Sequence, residues 1–283
     1  MNAEPFLLSA CQVKMPRLIY GTAWKKAQTA EWVELAIRCG FRGIDTACQP
    51  KHYNEAGVGD GIAACIKAGI ISRDSLYLQT KFTPLNGQDP LRIPYDAKAT
   101  LAQQVAQSFQ CSLQNLQTDY LDGLILHSPL ANQSQFMEVW QAMEQLFFSG
   151  GCKQLGISNC YDLETLRFLY QGAKVKPAIL QNRFYADSGY DTALRDFCQQ
   201  QGMIYQSFWT LTANPGILAS SVVKALAKKY QRTAAQVFFR YLTQQGIMPL
   251  TGTTSEQHIR EDLAIFEFEL ADAECVAIGA LLL

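Results

Sequence analysis

The chain has 283 residues, 48 % of them hydrophobic, and a formal net charge of −1. That length suits one α/β barrel or two smaller domains, and that apolar content builds a large core, so intrinsic disorder is excluded. Balanced charge without a basic block speaks against nucleic acid as a partner.

The nine cysteines are odd in number, scattered, and form no C-x-x-C pair. Neither a zinc site nor a redox dithiol is therefore expected, and no metal. They read as reduced thiols of the cytoplasm. The apolar patch Phe6-Leu7-Leu8 has no basic residue before it and is too short for a signal peptide. No apolar run reaches the ~20 residues of a membrane-spanning helix, so no membrane association is expected.

In chain order, residues 6–17 alternate weakly and predict a short hairpin. Leu18-Ile19-Tyr20-Gly21 reads as a first strand. Thr29 is placed to cap a helix over Ala30 to Cys39, where Trp32, Val33, Leu35, Ala36 and Ile37 give a helical period, and Gly40 closes it. Strands over 43–45, 76–80, 121–126, 153–157, 178–181 and 203–207 then alternate with helices near 55–67, 97–115, 134–148, 161–171 and 191–200. The last of these strands leads to helices near 218–229 and 233–244. Ile247-Met248-Pro249 is the eighth strand, followed by a helix near 255–262 and a helical tail at 271–281. In the helix at 134–148, Phe136, Val139, Trp140, Met143, Leu146 and Phe147 mark a core face. No Pro/Gly/Ser-rich linker divides the chain, so residues 1–283 read as a single domain.

Eight short strands alternating with helices predict a (β/α)8 TIM barrel. A doubly wound sheet is the competitor, and it needs a Gly-rich turn directly after the first strand. The one dense glycine cluster, Gly57-Val58-Gly59-Asp60-Gly61, follows Asn54-Glu55-Ala56 and belongs on a helix. There is no G-x-x-x-x-G-K-[ST] and no G-x-S-x-G, which excludes a phosphate-cradling P-loop and a serine-hydrolase elbow.

Four predicted strands end in polar residues: Asp45, Lys81, His127 and Asn159. Such ends ring the catalytic face of a parallel barrel. With Tyr53, eight residues after Asp45, they form a chemical set. Tyrosine alone is a poor acid at neutral pH, a nearby lysine cation lowers its pKa, and a carboxylate orients the lysine. A histidine can hydrogen-bond a carbonyl. Such a set delivers a proton while a nicotinamide cofactor supplies hydride, which side chains cannot. Taken singly, Asp45 and Lys81 read equally as a structural ion pair and His127 as a strand-end cap.

In sequence the chain resembles the aldo-keto reductase superfamily over nearly its whole length. The matching stretches are Gly40 to Ala47, Tyr53 to Glu55 with Val58-Gly59, Thr80-Lys81, Leu126-His127, Gly156-Ile157-Ser158-Asn159, Leu180-Gln181-Asn182 and Gly252-Thr253-Thr254. The resemblance implies an NADPH-dependent reductase of aldehydes and ketones, with the small carbonyl substrate as its partner and a monomeric chain. It implies Tyr53 as proton donor, Asp45 and Lys81 as its tuning groups, and His127 as carbonyl orienter. Ser158, Asn159 and Gln181 would hold the nicotinamide carboxamide, and Phe208, with Trp209 beside it, would stack on the ring. The cofactor site implied further includes Gly21, Thr22, Asp45, Thr210, Leu211, Thr251, Gly252, Thr253, Thr254, His258, Glu261 and Asp262. Trp24, Tyr53 and His127 would face substrate.

Three departures from the family pattern stand out. The usual spacing from aspartate to tyrosine is five residues, and here it is eight, which puts His52 in the slot that strict spacing from Glu55 gives the tyrosine. Leu250 occupies the usual lysine position of the 2′-phosphate loop and His258 the usual arginine. The chain stops at Leu283, where many relatives continue into a loop that walls the pocket, so an open cleft is expected. The alternative to an enzyme is a non-catalytic nicotinamide-binding subunit or sensor on the same fold, which has no need of the tetrad.

Overall fold

A computed structural model of the chain describes residues 6–282. β1 (Phe6–Leu8) and β2 (Lys14–Pro16) pair antiparallel, with Leu7 opposite Met15. The first half of the alternation runs β3 (Ile19–Gly21), α1 (Thr29–Cys39), β4 (Gly43–Asp45), α2 (Glu55–Lys67), β5 (Tyr77–Phe82), α3 (Leu101–Leu116), β6 (Gly123–Leu126) and α4 (Gln133–Phe148). The second half runs β7 (Leu155–Ser158), α5 (Leu163–Gly172), β8 (Ile179–Arg183), α6 (Thr192–Gln201) and β9 (Ile204–Phe208). It ends with α7 (Pro215–Ala219), α8 (Ser221–Tyr230), α9 (Ala234–Gln244), β10 (Met248–Thr251), α10 (Glu256–Leu263) and α11 (Asp272–Gly279). β3 to β10 form a closed parallel barrel in chain order, sealed where β10 pairs with β3. No described helix is long and apolar enough to cross a membrane.

The main core lies between barrel and helices. On α4 the buried apolar residues are Phe136, Val139, Trp140 and Met143, at the spacing of one helical face. The hairpin seals the lower end of the barrel, where Val13 and Met15 pack with Ile19, Tyr77, Ile179 and Met248. Above that layer the interior is polar. Gln79, Gln181 and Gln206 are almost fully buried and bond to one another through their amides at 2.9–3.0 Å.

Some local expectations change. Thr29 is the first residue of α1, the cap position falls on Gln28, and the Thr29 hydroxyl turns back to the Lys26 carbonyl at 2.8 Å. α3 begins at Leu101, not near 97, because Thr100 and Gln103 form a capping box. The glycine cluster does lie on a helix, α2, and packing explains it. A Cβ at Gly59 would meet the Asn115 carbonyl oxygen at 2.0 Å, and one at Gly61 the Ala30 carbonyl oxygen at 2.6 Å. Bare backbone lets α2 press against α3 and α1.

Candidate active site

Alternation along β4 and β5 turns Asp45 and Lys81 toward each other inside the barrel mouth. The Lys81 ammonium donates to both Asp45 carboxylate oxygens at 2.7 Å and to the Thr46 carbonyl at 2.9 Å. Both side chains are almost fully buried. Asp45 Oδ1 also accepts from Gln79 at 2.7 Å and Gln181 at 2.9 Å. Burial pulls the Lys81 pKa down, and the Asp45 charge opposes that pull.

The segment between β4 and α2 is long, and it folds back as a turn. The backbone N–H groups of His52 and Tyr53 both donate to the Gln49 carbonyl, at 3.1 and 3.0 Å. The Gln49 and Gln88 side chains tie the turn to the segment after β5. Buried Glu55 then accepts from Ser112 at 2.8 Å and from Thr80, the neighbour of Lys81. These clamps return Tyr53 to the barrel mouth. Lys81 Nζ lies 5.3 Å from the centre of its ring, and the His127 ring centre lies 6.1 Å away, edge-on. His52 stacks on Trp24 at 4.0 Å instead. The net shift of Tyr53 runs opposite to the one expected from a nearby Lys81. Burial first, and the Asp45 charge second, push the Tyr53 pKa well above the ordinary phenol range. Tyr53 therefore keeps its proton at neutral pH.

His127 follows β6, its Nδ1 2.6 Å from the Thr83 hydroxyl. Burial first, then the charges of Lys81 and His52, lower its pKa to about 3. Its ring is neutral at physiological pH. Between about pH 6.5 and pH 3 the unfolded chain therefore takes up a proton at His127 that the folded chain refuses, and stability falls as pH drops through that window. His127→Gln should flatten the dependence of unfolding free energy on pH between 7 and 4, by at most about 1.36 kcal/mol per pH unit. Identical slopes for variant and wild type would place a proton on folded His127.

A cavity of about 880 Å³ opens over these groups, within the ~300–1,000 Å³ typical of small-molecule and cofactor sites. Gly21, Trp24, Asp45, Tyr53, His127, Ser158, Asn159, Gln181 and the segment Phe208 to Leu211 line it. So do Thr251, Gly252, Thr253, His258, Glu261 and Asp262. Lys81 is shielded from the cavity. Thr22 and Thr254 do not line it, and the Thr22 hydroxyl is spent on the Asp45 carbonyl at 2.9 Å. Asp262 is spent on the Thr251 hydroxyl at 2.7 Å, and burial raises its pKa to about 6. Trp24, Asn159 and Trp209 have left-handed backbone, φ 66°, 52° and 54°, and strain of this kind clusters at functional sites.

Two cations escape the sequence reading. Leu250 is apolar and buried, but Lys25 donates its ammonium to the Gly252 carbonyl at 2.8 Å and so brings a cation to the loop whose own lysine is missing. Burial lowers the Lys25 pKa to about 8. Arg183 lines the cavity itself. Its signal is present in the sequence, because Arg183 stands two residues after Gln181 on one strand and so shares its face.

The Aldo/keto reductase family model matches residues 17–282. The chain is 33 % identical to "Uncharacterized oxidoreductase YtbE" of Bacillus subtilis, with 88 % of this chain and 82 % of the relative covered. It is 32 % identical to the glyoxal reductase of the same organism, with 90 % and 83 % covered. The crystal structure of an aldo/keto reductase from Brucella melitensis superposes with a TM-score of 0.82 at 26 % identity, covering 98 % of this chain and 99 % of that one. Family and fold together support carbonyl reduction by an oxidoreductase. With the family model spanning all eight barrel strands and each relative covered over most of its length, this chain belongs to the aldo-keto reductase family.

Proposed function

We propose that the protein reduces aldehydes and ketones to alcohols with NADPH, and that Tyr53 donates the proton. The observation that carries this is that the Tyr53 ring lies close to both Lys81 and His127 and lines one large cavity. The residues present fit a dinucleotide. The Gln181 amide nitrogen is engaged by Asp45 and Gln206, and its oxygen has no protein donor, so it can accept from a carboxamide. The Ser158 hydroxyl donates to the Gln181 carbonyl at 2.7 Å and accepts from the Asn159 amide at 3.3 Å, which leaves one lone pair. At the far end, first-turn N–H groups of α10 favour a phosphate. When bound, the reduced nicotinamide supplies the hydride.

Every other task falls to side chains. His127 presents Nε2–H to the carbonyl oxygen when the Thr83 hydroxyl donates to Nδ1, the tautomer a neutral ring needs for this work. Tyr53 gives its proton as negative charge grows on that oxygen. Lys81, fixed by Asp45, stabilises the tyrosinate left behind. Phe208 offers a stacking face, and Trp24 and Trp209, both exposed, rim the opening.

The test is oxidation of NADPH, followed by the loss of reduced-nicotinamide absorbance, against a panel of aldehydes, ketones and quinones. No turnover on the whole panel would sink the assignment and leave a binding subunit. Cofactor choice gives a second readout. His258 lines the cavity near the α10 N-terminus and is the ionisable side chain in place of the usual arginine. NADPH should be preferred over NADH in kcat/KM, more modestly than where lysine and arginine are both present, and His258→Gln should narrow the ratio. An unchanged ratio would remove His258 from the site.

A further inference from the structure

Among the residues lining the cavity, Arg183 is the sole lysine or arginine. Its guanidinium lies over the Trp209 ring at 4.3 Å and over the Tyr185 ring at 5.2 Å. Stacking of this kind engages the flat face of the fork and leaves its in-plane N–H donors free. Among the described residues no carboxylate pairs with it, and none of its side-chain N–H groups has a protein acceptor, whereas nine other basic side chains form ion pairs. Of the carboxylates lining the cavity, Asp45 is already neutralised by Lys81, Asp262 is bound to Thr251, and Glu261 accepts from Gln257 on its own helix. A permanently charged group held rigid by two aromatics, with unused donors, is built to receive an anion.

Its position says which end of the cavity it serves. Arg183 is the last residue of β8, on the face of Gln181 and roughly 7 Å further along the strand. Gln181 bonds Asp45, so Arg183 stands one strand repeat above the tetrad. Its backbone N–H donates to the Tyr161 hydroxyl at 3.1 Å, and Tyr161 in turn reaches Asn159. None of its contacts belongs to the α10 end, where the 2′-phosphate is placed above.

We propose that Arg183 is the anion-binding side chain of this cavity and receives two oxygens of one carboxylate or phosphate. That group belongs to the carbonyl substrate or to the dinucleotide's diphosphate, and the place of Arg183 beside the tetrad favours the substrate. The protein is then selective for carbonyl compounds bearing an acid group a few bonds from the reacting carbon. This rests on the cavity's being a carbonyl-reducing site.

The experiment compares wild type, Arg183→Gln and Arg183→Lys on two aldehydes of equal length, one neutral and one ending in a carboxylate. Dinucleotide affinity is read separately from tryptophan fluorescence, which needs no turnover. Charged hydrogen bonds of this type correspond to about 10- to 100-fold in affinity. For a substrate anion, Arg183→Gln raises the ratio of KM for the acid to KM for the neutral aldehyde by at least about 10-fold, Arg183→Lys recovers part of it, and dinucleotide affinity holds. For the diphosphate, dinucleotide affinity falls by a similar factor and the KM ratio is constant, which upholds the anion site and overturns the substrate assignment. If neither quantity moves in a variant that unfolds at the wild-type temperature, Arg183 binds no anion. Failure of the function itself shows differently, as a wild type that reduces neither aldehyde.

Discussion

Tyr53→Phe is expected to lower kcat for aldehyde reduction by about 10²–10⁴-fold, the usual range for a general acid, while dinucleotide affinity stays intact. The size follows from the setting. Tyr53 is pushed above the ordinary phenol range by burial and by Asp45, so it carries its proton at neutral pH and releases it only to a stronger base. A carbonyl oxygen becomes such a base as it receives hydride. The hydroxyl nearby on Thr83 is engaged by His127 Nδ1. The phenyl ring of the variant keeps the packing against His127, so structural damage is small. If the variant retains more than about a tenth of the wild-type kcat, the proton comes from elsewhere, and His52, stacked on Trp24 at the cavity edge, is the next donor to remove.

Lys81→Met should cost about 3–5 kcal/mol of stability in addition to activity, because it strands a buried carboxylate. Asp45 keeps two amide donors, from Gln79 and Gln181, and loses its only cation. Asp45→Asn should likewise be costly, since it leaves the ammonium of Lys81 buried with two neutral oxygens. The double variant Asp45→Asn/Lys81→Met should then recover much of the stability, since neither charge is left alone, and recover none of the catalysis. Denaturant unfolding of the four proteins measures this. A double variant as unstable as the sum of its singles would show that the pair is not coupled. A single variant within about 1 kcal/mol of wild type would show that water reaches the site.

The barrel was legible because its signals are short-range. A period of two or of 3.6, a capping residue and a closing glycine each act over a few residues, and eight alternations admit few topologies. The convergence of Asp45, Lys81 and His127 was legible for the same reason, since all three come from strand ends on one face. Three things were hidden, each for a long-range reason. The Tyr53 pKa depends on what closes over the ring, and burial together with the Asp45 charge outweighs the pull of a nearby lysine. The turn at 48–53 is held by Gln49 and Gln88 through backbone oxygens far along the chain, and no local pattern marks those partners. Lys25 reads as one of two adjacent surface lysines until the Gly252 carbonyl, 227 residues away, is seen to hold it.

The glutamines inside the barrel bear on how the site refills after turnover. Carboxamides hold hydrogen bonds in place and do not exchange protons with solvent near neutral pH. Beneath Asp45 the contacts pass to Gln79, Gln206, Tyr77 and Gln154, and Tyr77 is itself held well above the ordinary phenol range by burial. The floor of the barrel therefore insulates: it carries polarisation and no current of protons. Each proton that leaves Tyr53 has to come back through the mouth, past Trp24, His52 and whatever molecule lies there.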